Sequence, residues 1–178
     1  MNWKEIGKTL FDMEKNKKMN KNLDKIKKYR GQIITWALEI EDLLERILSN
    51  YFMRDTNNLE DMAYFEVEIM RELGFDKKIQ IFNKIAKREK YPNKKLSLIM
   101  KAIQNIQNMR NKVAHWRPLA YFDTGKVFLR YKDEMEQKEM LSLDNQLLKN
   151  LKSDKETAYQ EIVKFYQWFH SLKRKQVL

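Results

Sequence analysis

The chain contains no cysteine, which removes disulfides, thiolate metal ligands and cysteine nucleophiles together. It has only two histidines in 178 residues, so a transition-metal site would have to be a carboxylate-rich cage. Four glycines and two prolines leave few places for the backbone to break, which predicts a mostly helical organisation. No apolar run approaches the length of a membrane span, and the start Met1-Asn2-Trp3-Lys4-Glu5 lacks a signal peptide's apolar region. A soluble, cytoplasmic protein is the expectation. Phosphate-binding glycine loops, dinucleotide fingerprints, serine elbows and zincin motifs are also missing.

What is present starts with enough apolar material for one core. Hydrophobic residues make up 43% and aromatics 12%, and this length predicts one domain over residues 1–178. Charged residues reach 34%, so the surface is heavily solvated. The formal net charge of +11 steers polyanions toward the surface, which permits a nucleic-acid substrate and equally an acidic protein partner. Abundant Lys and Asn are also what a biased base composition in the source genome would produce.

Periodicity divides the chain. An amphipathic lead segment, Trp3 to Met13, is followed by the Lys- and Asn-rich stretch Lys15 to Lys21, which reads as a loop; residues 1–22 form an N-terminal helical extension. The strongest helix places Ile33, Ala37, Ile40, Leu44, Ile47 and Tyr51 on one face, while Glu39, Glu41, Asp42, Glu45 and Arg46 read as its solvated face. A helix over Leu59 to Leu73 is expected to end at Gly74 in a left-handed cap. Phe75 to Arg88 follows with Ile79, Phe82 and Ile85 inward, and Tyr91-Pro92-Asn93 breaks it before the next helix. After Pro118, residues 119–142 read as a small hairpin insertion turning at Asp123-Thr124-Gly125. Helical character returns at Leu143 with Asp144 as a cap, and the chain ends in a long helix carrying Ala158, Ile162, Phe165, Trp168, Phe169 and Leu172. The fold class expected is mainly α, an up-and-down bundle of four to six helices with that hairpin before the C-terminal helices.

One segment interrupts a core-facing stripe with polar chemistry. Leu96, Ile99, Ile103, Ile106 and Val113 recur at helical spacing, and Arg110 occupies the slot between the last two. Arg stays ionised and is rarely buried unpaired, so this slot must face a partner surface, an acidic group or a ligand anion. Pro118 closes the segment, which leaves His115 on the frayed last turn. His170, by contrast, has no polar companions at useful spacing and reads as a structural or surface histidine.

The run Arg110-Asn111-Lys112-Val113-Ala114-His115 resembles the Arg-x4-His motif of the HEPN superfamily, including the polar residue after the arginine. Weaker likenesses cover most of the chain from about Asp24 onward: the helix through Trp36 to Leu44, the opening Gly74-Phe75-Asp76-Lys77-Lys78-Ile79, and the entry Leu141-Ser142-Leu143-Asp144. The resemblance implies a helical domain whose motif ends meet across a homodimer, acting as a metal-independent ribonuclease in defence, toxin-antitoxin or RNA-processing systems. It implies catalytic roles for Arg110, His115 and Asn111, with no cofactor and no metal. Family members often carry an acidic or polar residue on the long early helix near the site; Glu39 is the candidate, with Glu41 and Asp42 alternatives. Lys112 and Arg117 would add substrate contacts. Some toxin members have a tyrosine two residues after the histidine, modified by a cognate antitoxin; Arg117 stands there, so that modification is not expected, although an antitoxin or defence-system partner is.

The residue types suit RNA cleavage independently of the resemblance. RNA carries its own nucleophile, the 2′-hydroxyl, and a histidine can take its proton while a guanidinium holds charge on the phosphorane. Two other readings share the same residues. One is a non-catalytic helical module binding RNA, nucleotide or a protein partner; the other is an interaction protein with Arg110 salt-bridged in a dimer seam.

Overall fold

Between Trp3 and Phe52 no proline interrupts the backbone ladder, and Lys, Met, Leu and Glu all favour helix. The result in the computed structural model is one helix, α1 (Trp3–Phe52). The structure describes residues 3–53, 58–120, 127–130 and 140–176. It is mainly helical, and among the described residues no helix is long and apolar enough to cross a membrane. The loop expected at Lys15–Lys21 is helical instead. Asparagine costs a helix only tenths of a kcal/mol, roughly 0.5 relative to alanine, and nothing in that stretch removes a backbone donor.

The segment after α1 departs from expectation twice. Asn58 caps α2 (Leu59–Tyr64), its side chain accepting the Glu60 N–H at 3.0 Å. The chain then widens into a π-helix, Phe65–Met70, in which the Arg71 N–H reaches back five residues to the Glu66 carbonyl at 3.3 Å. Helical structure therefore ends before Gly74. That glycine is extended, at φ −62° and ψ 156°, and begins the next helix rather than closing the previous one. Its carbonyl accepts the Lys77 and Lys78 amides at 2.9 and 3.2 Å, starting α3 (Phe75–Arg88).

The close of α3 uses a Schellman motif. The Tyr91 N–H bonds the Ala86 carbonyl at 2.9 Å and the Lys90 N–H bonds Lys87 at 3.0 Å, with Lys90 in the left-handed region at φ 60°. Helix α4 (Asn93–His115) follows, then three short strands, β1 (Arg117–Ala120), β2 (Val127–Arg130) and β3 (Met140–Ser142). They pair antiparallel in the order β1-β2-β3, with Arg117 opposite Arg130 and Phe128 opposite Ser142. The turn anticipated at Asp123-Thr124-Gly125 lies outside the described residues. Helix α5 (Asn145–Gln176) opens as expected on Asp144, whose Oδ1 accepts the Leu147 amide at 2.8 Å.

Two compact units are formed: Met1–Ile34 with Met109–Asn150, and Thr35–Asn108 with Leu151–Leu178. In the first, Ile26, Tyr29 and Ile33 of α1 are buried, as are Met109 and Val113 of α4, Trp116 and Leu143. The second is a helical bundle. Ala37 to Tyr51 of α1, Phe75 to Ala86 of α3, Leu96 to Ile106 of α4 and Ala158 to Phe169 of α5 supply one apolar core. Aromatic edges close it: Phe82 meets Phe165 at 5.0 Å between centroids, and Tyr91 meets Trp168 at 4.9 Å.

Within that bundle the acidic face of α1 is not wholly solvated. Lys78 of α3 is 2% exposed, and its Nζ donates to Glu41 Oε1 at 3.0 Å and Glu45 Oε2 at 2.9 Å. Glu45 is itself buried. Burial works to lower the lysine's pKa, but hydrogen bonds and charge from Glu45 and Glu41 outweigh it and hold the ammonium above its ordinary value. Lys78→Met should cost about 3–5 kcal/mol, read as a lower urea midpoint, because it strands buried carboxylate charge. Adding Glu41→Gln and Glu45→Gln should recover much of the loss. The wild-type contribution should be complete below the unfolded lysine pKa and disappear as pH rises through the raised folded value. Tyr91 offers the opposite case, since its buried hydroxyl has no hydrogen-bond partner among the described residues. Tyr91→Phe should leave the thermal midpoint unchanged or raise stability by up to about 1 kcal/mol.

Candidate functional site

Polar side chains at the end of α4 are held by a helix whose apolar stripe faces inward. Met109 and Val113 are buried, and the intervening Arg110 is half-buried, matching its slot between Ile106 and Val113. Its Nη1 donates to Asn111 Oδ1 at 3.1 Å. Among the described residues the guanidinium has no carboxylate partner. An unpaired, half-buried guanidinium is a receptive site for an external anion.

His115 is the last residue of α4 and is exposed. Its imidazole makes no hydrogen bond among the described residues, so both ring nitrogens can face solvent or a ligand. Asn111 lies four residues before it, on the same face of the helix. Arg110, five before, is turned about 140° around the axis, so its long side chain must reach around to act beside the histidine. Lys112 is half-buried with its ammonium 4.7 Å from the centroid of the Trp116 ring. Arg117 opens β1, and its side chain lies outside the described residues.

The structure also brings in a residue that the sequence pattern did not single out. Arg30 of α1 donates from Nη2 to the Ala114 carbonyl at 3.4 Å, capping one of the four carbonyls that a helix C-terminus leaves open. Beside it, Tyr29 donates its hydroxyl to Asn145 Oδ1 at 2.5 Å, at the first residue of α5. Consecutive residues of α1 thus fasten the end of α4 and the start of α5, on either side of the strand segment in the chain. No periodicity signal marks Arg30, because its partner is a backbone carbonyl 84 residues away.

The candidates on the early helix have other partners. Glu39 belongs to the second unit, where its carboxylate pairs with Lys155 at 2.6 Å. Glu41 and Glu45 hold Lys78, and Asp42 is exposed beside them on a polar pocket of about 330 Å³ that Arg46, Glu66 and Arg71 also line. Lys78 was legible in principle: it lies three residues after Phe75 and four before Phe82, on the inward stripe, as Arg110 does on its own helix. His170 is half-buried and rests edge-on against Tyr166, with ring centroids 4.3 Å apart. Among the described residues no group of three or more His, Asp or Glu side chains is arranged to hold a metal ion. No protein-family model, curated protein or solved structure matches the chain.

Loss of the Arg30 contact should fray the last turn of α4 without unfolding the protein. In Arg30→Ala, the Trp116 amide, which bonds the Lys112 carbonyl at 2.8 Å, should exchange its hydrogen faster. A contact of about 1 kcal/mol predicts an acceleration of roughly fivefold, with the urea midpoint nearly unmoved.

Proposed function

We propose that this protein is a metal-independent endoribonuclease of HEPN type, cleaving RNA by attack of its 2′-hydroxyl. The observation that carries the reading is the last two turns of α4, where an exposed His115 follows a half-buried Arg110 that has no carboxylate partner among the described residues and is steadied by Asn111. The net charge of +11 supports a polyanionic substrate.

In this reading His115 takes the proton of the 2′-hydroxyl, and the resulting oxygen attacks the adjacent phosphorus. Arg110 stabilises the charge on the pentacoordinate phosphorane, with Asn111 holding the guanidinium in place. The bond from phosphorus to the 5′-oxygen breaks, and that oxygen takes a proton from an imidazolium or from water. The products are a 2′,3′-cyclic phosphate, opened by water to a 3′-phosphate, and a 5′-hydroxyl. Lys112 and Arg117 contribute contacts to neighbouring phosphates. Each chain contributes one histidine of this kind, so separate acid and base roles call for two copies, and the active species is a homodimer. Defence, toxin-antitoxin or RNA-processing systems, with an antitoxin or defence-system partner, are the settings that suit such an enzyme, and its compartment is the cytoplasm.

Cleavage of a labelled single-stranded RNA in chelator tests the proposal. Wild type should yield cyclic-phosphate ends and leave the matching DNA intact, since DNA lacks the hydroxyl. His115→Ala should lower turnover by at least about a hundredfold while retaining RNA binding. Equal cleavage by both proteins would remove His115 from the reaction, and binding without cleavage in either would favour a non-catalytic RNA-binding module.

A further inference from the structure

The helical segment formed by α2 and the π-helix, Leu59–Met70, is the least buried stretch of regular structure in the second unit. No residue of α2 is buried, and the π-helix buries only Met70. Four of the nine large hydrophobic side chains exposed among the described residues lie on it: Leu59 at 78%, Tyr64 at 65%, Val67 at 43% and Ile69 at 44%. Leu59, Ala63 and Val67 recur at four-residue steps and are all exposed, so an apolar row runs along the segment. A contiguous apolar row on a water-facing helix marks an interaction surface.

The charge on this row identifies what covers it. The segment carries four carboxylates, Glu60, Asp61, Glu66 and Glu68, and no Lys or Arg, in a chain whose net charge is +11. Packing the same row of a second copy against it would bring the flanking Glu60 and Glu68 of each copy together, and like charges across an interface are costly. RNA is excluded by the same sign. The complementary occupant is apolar along one face and cationic at the edges of that face.

We propose that the Leu59–Met70 segment is the docking site for a basic amphipathic helix of a partner protein. Apolar anchors of the partner cover Leu59, Ala63 and Val67, and its Lys or Arg side chains meet Glu60 and Glu68 at the rim. The π-helix contributes to the shape of the site. Its wider turn spends an extra residue, so Met70 turns inward while Val67 stays outside. The docking surface is independent of the ribonuclease reading, because it uses none of the residues at the end of α4.

Fluorescence anisotropy with the full chain tests this, using as probe a short labelled amphipathic helical peptide of leucine and lysine, and the same peptide with glutamate for lysine. The basic peptide should bind and the acidic one should not. Affinity should fall at least about tenfold in the Leu59→Ser/Val67→Ser double variant. It should also fall in Glu60→Gln/Glu68→Gln and on raising the salt, while Leu98→Ser, an exposed apolar residue of α4, should bind as wild type. Circular dichroism of each variant separates lost docking from lost folding. Absence of binding, equal binding of both peptides, or equal loss in Leu98→Ser would overturn the proposal. So would concentration-dependent self-association that the Leu59/Val67 variant abolishes, since the occupant would then be a second copy.

Discussion

Burial of one apolar stripe, the inward face of α1, is the constraint on which the described structure depends. Ile26, Tyr29 and Ile33 enter the buried set of the first unit, and Ala37, Ile40, Leu44, Ile47, Leu48 and Tyr51 that of the second. Fully burying a side chain of this size contributes about 1.5–3 kcal/mol, so the stripe outweighs any single polar contact in the chain. It also brings polar neighbours with it. Tyr29 and Arg30 reach α5 and the end of α4 because the helix face next to Ile26 and Ile33 is already committed to the interior. Glu41 and Glu45 reach Lys78 for the corresponding reason beside Ile40 and Leu44.

Two cations stand on inward helical stripes, and their surroundings differ in a way that bears on function. Lys78 is buried, charged and shared between two carboxylates, which makes it a structural ion pair whose removal would strand charge. Arg110 is half-buried with only the Asn111 amide as a partner among the described residues. A guanidinium left in that state keeps its capacity for bidentate binding of a phosphate. The contrast, rather than the mere presence of Arg at an apolar slot, is what gives the end of α4 its chemical interest.

Much of the fold was legible because helix periodicity is a local property. The faces through Ile33 to Tyr51, Ile79 to Ile85 and Ala158 to Phe169, the break at Tyr91-Pro92-Asn93 and the cap at Asp144 all follow from spacing and residue type, and all are present. The departures have local causes that compete with those signals. Lys15–Lys21 looked like a loop because it is polar, yet polarity without a helix breaker leaves the ladder intact. Gly74 looked like a helix end because glycine tolerates positive φ, but the π turn at Phe65–Met70 had already ended that helix. The acidic face of α1 looked solvated because its lysine partner is 33 and 37 residues away in the chain.

From sequence alone came the helical class, the inward faces, and an Arg-x4-His run at the end of a helix closed by proline, since each depends on spacings of a few residues. Tertiary structure alone decided which polar side chains of α1 would be neutralised. Glu41 and Glu45 engage Lys78, and Glu39 engages Lys155, so these carboxylates are committed within the second unit. It also selected Arg30 as the α1 side chain that caps α4, and left Leu59, Ala63 and Val67 exposed among the described residues. The physical reason is the same throughout. A side chain's neighbours along the chain are set by helix geometry, whereas the charge or carbonyl it meets across space depends on how separate helices pack.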